Sequence, residues 1–215
     1  MKMTDKTKEF EVLGRKLLFH NQRCKGWTHP YAYENEGTLS SAGCGIFALT
    51  HCAQWLTGVC PDAEALADFS VAYGGRGDDG TDRPALLHAL MTHGANKALG
   101  FTYNDDGLRN DLPTLYDHIA NGGVSMCNLR VGHIVALVAA RERDGHRELL
   151  AIDSYSESAS EKVRDSVREV VADSLITYAV KNQAGLVVGE NTCYAAFWVD
   201  ADLPKDFNLL HALEK

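Results

Sequence analysis

The chain has 215 residues, 45% of them hydrophobic and 23% charged, and a formal net charge of −8. A chain of that length buries a core without crosslinks, while the acidic balance and the lack of a Lys/Arg cluster argue against a nucleic-acid partner. No apolar run is long enough for a membrane span, and the charged start MKMTDKTKEFEVLGRKLLFHNQ lacks the apolar stretch of a secretory signal, so a cytoplasmic protein with no membrane partner is the expectation.

Residues 8 to 21 fit an amphipathic helix. The following NQRCKGWTHPYAYENEGTLSSAG is rich in turn formers and aromatics and reads as a long loop. A clear helix comes next, capped by Ser40 or Ser41, with Phe47, Ala48, Cys52, Trp55 and Leu56 at helical spacing and Thr57-Gly58 as its stop. Asp62 caps a second helix that runs through Ala65, Leu66 and Phe69 to Gly74-Gly75. GGRGDDGT is a flexible connection at the rim of a cleft, lacking the flanking strand and Gly-Lys-Ser/Thr of a phosphate loop. Thr81 or Asp82 starts a third helix, with Pro84 in its first turn and a stop near Gly94. A short fourth helix spans about Leu112 to Ala120.

After Gly123 the pattern becomes extended. Val124 to Leu129 is one short run, and His133 to Ala140 is a compact apolar one. Asp144-Gly145 turns the chain into Glu148 to Asp153, which makes an antiparallel hairpin. Residues 157 to 193 are ambiguous: Val163, Val167, Val170, Val171 and Leu175 fit a helix, whereas Leu186-Val187-Val188 looks like a strand. Tyr194 to Val199 reads as the last strand. Helices first and sheet second make an α+β protein.

Three residues stand out. Cys44, flanked by Gly43 and Gly45, sits where a loop becomes a helix. Free backbone N–H groups and the helix dipole stabilise a thiolate there and can receive an oxyanion, and the glycines allow close approach of a substrate. His133, just after Gly132, opens a strand and suits a general base. Asp153 ends the partner strand, so the hairpin places it beside His133, where a carboxylate fixes the imidazole tautomer. The six cysteines are scattered, which favours free thiols. Neither His51-Cys52 nor Cys24 with His29 has a second half at zinc-ligand spacing, so no metal is expected.

The order Cys, His, Asp, carried by GCGIFALTHCAQWLTG, LPTLYDHIANGGVSMCNLRVGHIVALVAA and LLAIDSYS, resembles the papain-like cysteine peptidases. Within them it is most similar to the branch of bacteriocin-leader-processing peptidases and their bacterial relatives. The resemblance covers roughly residues 36 to 156. It implies one papain-like domain over 1–215, with a variable insertion at about 157–193. The nucleophile would lie on a central helix packed against an antiparallel half-barrel carrying His133 and Asp153. It further implies hydrolysis of a peptide or amide through a Cys44 thioester, with no cofactor. Its alternatives are a silent domain that binds a peptide or partner, and an acyltransferase using the same thioester. Papain-like enzymes place a glutamine several residues before the cysteine as an oxyanion donor. Here Thr38, Ser40 or a backbone N–H stands near that place, and Gln22 is distant in sequence. Trp27 is a further candidate for the substrate cleft. Oligomeric state is left open.

Overall fold

The computed structural model describes residues 6–129, 133–155, 166–182, 184 and 186–213. The protein is a mixed α+β molecule built on a seven-stranded, wholly antiparallel sheet.

The N-terminal half begins with a hairpin of β1 (Thr7–Val12) and β2 (Arg15–His20), not the helix expected for residues 8 to 21. Phe10, Leu13 and Leu17 do fall at helical spacing. Leu13 and Gly14, however, both take positive φ, which makes a two-residue turn, and Phe10, Val12, Leu17 and Phe19 alternate inward as strand residues do. The expected long loop holds a second hairpin, β3 (Pro30–Tyr33) and β4 (Glu36–Thr38), turned by Glu34 and Asn35 at positive φ.

Helix α1 (Leu39–Ala42) is a single turn with Thr38 as N-cap, so Ser40 and Ser41 belong to it. Gly43, not either serine, precedes the long helix α2 (Cys44–Thr57), which ends on left-handed Gly58. Asp62 caps α3 (Ala63–Ala72) by accepting from Glu64 N and Ala65 N. The GGRGDDGT segment is a miniature hairpin of β5 (Arg76–Gly77) and β6 (Gly80–Thr81). Asp82 then caps α4 (Arg83–Thr92). The short α5 (Ala95–Leu99), β7 (Phe101–Tyr103) and α6 (Leu112–Ala120) lead into the sheet.

The sheet's remaining strands are β8 (Val124–Leu129), β9 (His133–Arg143), β10 (His146–Ile152), β11 (Val167–Val170), β14 (Ala196–Asp200) and β15 (Pro204–Ala212), in the order β11-β14-β10-β9-β8-β15-β7. Asp144 and Gly145 at positive φ turn β9 into β10, as their dipeptide predicts. Residues 167 to 175 are not helical. β11 is an edge strand on β14, and a 3-10 turn at Ala172–Ser174 follows it; Val163 lies outside the described residues. β12 (Leu175–Lys181) and β13 (Val187–Tyr194) form a separate two-stranded ribbon. The expected strand from Tyr194 to Val199 is broken at Ala195 and is not the last. β15 follows and pairs with both β8 and β7, which also places His211 in a strand.

The sheet is buried on both faces. Met126, Ala136, Val138, Leu150, Ile152 and Trp198 join the cluster formed by α2 and the N-terminal elements. Their neighbours Cys127, Val135, Leu137, Leu149, Ala151, Phe197 and Val199 pack with Leu115 and Ile119 of α6. Two-sided burial explains why His133 to Ala140 reads as a continuous apolar run without polar alternation. At ~1.5–3 kcal/mol per buried large apolar side chain, this double layer fixes β9 and β10 firmly beneath α2. Among the described residues no helix is long and apolar enough to cross a membrane.

Candidate active site

Cys44 is the first residue of α2, and β9 runs alongside that helix with His133 at its start. The thiol is partly exposed to a cleft of about 990 Å³ that His133 also lines. Burial alone pushes the Cys44 thiol up. The hydrogen bond and positive charge of His133, with the backbone N–H groups of Ile134 and Gly45, outweigh it and leave the thiol below its ordinary value.

The histidine shows the complementary effect. Burial lowers its basicity, but the charge and hydrogen bond of Asp153, followed by those of Cys44, carry it up to about 10. Nε2 of His133 lies 2.6 Å from Oδ1 of Asp153. With Nε2 engaged, Nδ1 is the ring nitrogen left to serve Cys44. The thiol is lowered and the imidazole raised, the two directions that favour a thiolate–imidazolium pair over a neutral one.

Asp153 is fully buried, immediately after the end of β10. Its N–H donates to the carbonyl of Ala195 at 2.9 Å, which fixes the backbone. Oδ1 also accepts the Tyr155 N–H at 2.8 Å, closing a small turn, while Oδ2 has no partner among the described residues. The turn role and the imidazole role of Asp153 therefore coexist.

The expected oxyanion donors fare differently. Thr38 Oγ1 and Ser40 Oγ bond each other at 2.9 Å, and the Thr38 N–H is taken by Ser41 Oγ. Ser40 lines the cleft; Thr38 is not among its lining residues. Gln22, set aside for its distance along the chain, lines the same cleft as Cys44 and His133. It is 5% exposed, its N–H donates to Ser154 O at 2.9 Å, and its Oε1 accepts from Ser154 Oγ at 3.1 Å. The carbonyl end is thus occupied and the amide nitrogen is the end left for the cleft. Gln22 follows directly on the β1–β2 hairpin, whose turn signal, Leu-Gly, is the clue that could have found it.

The other cleft candidates are corrected by packing. Trp27 is buried against Phe47 and His20, with Nε1 donating to Asn21 O at 3.0 Å, and forms core rather than cleft wall. Gly45 is needed for close packing, because a Cβ there would collide with Thr81. Gly43 leaves room for the Leu39 carbonyl. Gly132 lies outside the described residues. Tyr33, Ser41, Tyr155 and the turn of the β5–β6 hairpin complete the visible rim.

No three His, Cys, Asp or Glu side chains among the described residues converge on a metal-binding geometry. His51, in the rejected zinc pair, is stacked on Phe19 with centroids 5.6 Å apart and hydrogen-bonded by the His20 N–H at 3.2 Å. A scan of family models, a search of curated proteins and a search of solved structures each found no match, so the geometry above is what describes this site.

Proposed function

We propose that the protein is a papain-like cysteine hydrolase that cleaves a peptide or amide bond. The observation that carries this reading is the relay of Cys44 at a helix start, His133 against it and buried Asp153 behind His133 at 2.6 Å. A nucleophile on a central helix, packed on an antiparallel sheet that supplies base and acid, supports the papain-like assignment.

In the proposed reaction the Cys44 thiolate attacks the scissile carbonyl carbon, forming a C–S bond while the carbonyl electrons move to oxygen. In this reading the first N–H groups of α2 and the Gln22 amide receive that oxyanion, an assignment supported by Gln22 lining the Cys44 cleft. Collapse breaks the C–N bond, and the imidazolium gives its proton to the departing amine. His133, now neutral, takes a proton from water, which attacks the thioester and releases the acid. The thiolate–imidazolium pair is thereby restored. Asp153 holds the ring in one tautomer and stabilises its charged form throughout.

The test is competition between thiols within one molecule. With iodoacetamide at pH 6, Cys44 is expected to be alkylated at least tenfold faster than partly exposed Cys24 and Cys60, and His133→Ala abolishes the difference. Equal labelling of the three thiols would remove the enzymatic reading and leave a binding domain.

A further inference from the structure

The cleft in front of Cys44 has an unbalanced charge. Two hairpin turns form one wall. The β3–β4 turn brings Glu34 and Glu36, and the β5–β6 turn brings Asp78 and Asp79. All four residues are exposed, and among the described residues none of the four carboxylates forms an ion pair. The Asp78 carboxylate accepts the N–H of Asp79 at 2.9 Å, and its backbone carbonyl accepts from Arg76 NH1 at 3.4 Å.

Arg76 is the one guanidinium among the described lining residues, and it is committed to holding the wall together. Its Nε donates to Tyr31 O at 3.0 Å and its NH1 to Gly80 O at 3.0 Å, so one side chain ties the two hairpins to each other. The same group lies over the rings of Tyr31 and Tyr33. His133 is engaged by its own carboxylate, Asp153, at 2.6 Å and so does not offset the wall. Among the described lining residues, four carboxylates against one guanidinium give a wall of net negative potential beside the nucleophile, in a concave site where solvent screening is reduced. Gln22, 5% exposed, lines the same cleft with its Oε1 taken by Ser154 Oγ, which leaves the amide end toward the space that Cys44 and His133 share. Tyr33, 42% exposed at the rim, already holds the Arg76 guanidinium over its ring, the kind of contact a cationic side chain makes with an aromatic face.

We infer that this cleft selects cationic chains: its substrate is a peptide carrying Lys or Arg close to the bond presented to Cys44. The inference rests on the hydrolase reading for the word substrate, but the charge selection concerns binding and is measured apart from cleavage.

The experiment uses the full chain with Cys44→Ala, which cannot turn over, and three nonapeptide pools alike except for Lys, Gln or Glu at their central positions. Binding is followed by fluorescence anisotropy. The Lys pool is expected to bind about tenfold more tightly than the Glu pool, with Gln between. Raising NaCl from about 50 to about 500 mM should collapse the spread. Glu34→Gln, Glu36→Gln, Asp78→Asn and Asp79→Asn combined keep one acceptor oxygen and the side-chain size at each position and should erase the preference. If that variant fails to fold, the salt series on the unaltered wall decides alone. Equal binding of the three pools, preference for the Glu pool, or no binding of any pool overturns the inference. Wild-type protein incubated with the Lys pool then separates the two ideas: tight binding without cleavage keeps the charge selection and removes the hydrolase.

Discussion

Replacing Asp153 by Asn isolates the charge behind the base. In the native site Oδ1 accepts from both His133 Nε2 and the Tyr155 N–H, and Oδ2 has no partner among the described residues. An asparagine can keep its oxygen at the Oδ1 position and place its amide nitrogen at the vacant one, so both hydrogen bonds survive and only the negative charge is lost. A charge-assisted bond contributes roughly 1–2 kcal/mol more than a neutral one. Removing it should lower the His133 basicity by about one unit from its raised position and weaken its hold on the Cys44 thiolate. The assay is the pH dependence of Cys44 alkylation by iodoacetamide, read by mass spectrometry. For wild type the rate should stay high below the ordinary thiol range, because His133 depresses the thiol. Asp153→Asn should slow labelling about tenfold near pH 6 and converge with wild type as the pH rises far enough to ionise any thiol. An unchanged profile would mean that Asp153 only shapes the turn and that the relay described above is wrong.

Gln22→Ala should reduce kcat on a cleaved peptide by about a hundredfold while leaving Cys44 labelling near wild type, since the amide acts on the oxyanion and not on the sulfur. Labelling and turnover falling together would point to structural damage instead. Gly45→Ala forces a Cβ into Thr81, and is expected to cost ~2 kcal/mol and lower Tm by roughly 6 °C; adding Thr81→Gly should recover part of that loss in the same thermal melt. Acid should destabilise the fold through His20 and His51, which are buried neutral. Burial lowers His20 to about 4, and burial together with the neighbouring His20 holds His51 well below its ordinary value, so the unfolded chain binds more protons below pH 6.5, and stability falls as pH drops from there through the folded-state value. His20→Gln should flatten a urea-midpoint profile between pH 6.5 and 4, by at most about 3 kcal/mol, and an unaltered slope would refute the assignment.

The legible parts of this chain were those where local chemistry and tertiary demand agree. Asp144-Gly145 specifies a tight turn, and that turn alone brings the start of β9 near the end of β10, hence His133 near Asp153. Gly43-Cys44-Gly45 sits at a helix start for reasons visible within a few residues, although the glycines serve packing against Leu39 and Thr81 more than substrate access. Residues 8 to 21 misled because Phe10, Leu13 and Leu17 satisfy a helical period while Leu13 itself occupies a left-handed turn that leucine rarely adopts. β15 was missed because Pro204–Ala212 looks like a tail until its partners β8 and β7 are known. Gln22 was passed over because a short spacing to the cysteine was expected, whereas a hairpin delivers it from farther back.

The double hydrogen bond between Gln22 and Ser154 stitches the N-terminal ribbon to the residue next to Asp153. One seam therefore registers both the amide proposed for the oxyanion and the carboxylate bonded to His133, from distant parts of the chain. Peeling the first two strands away would unseat both at once, so catalysis should vanish as a step, before the main sheet melts, when that ribbon lets go.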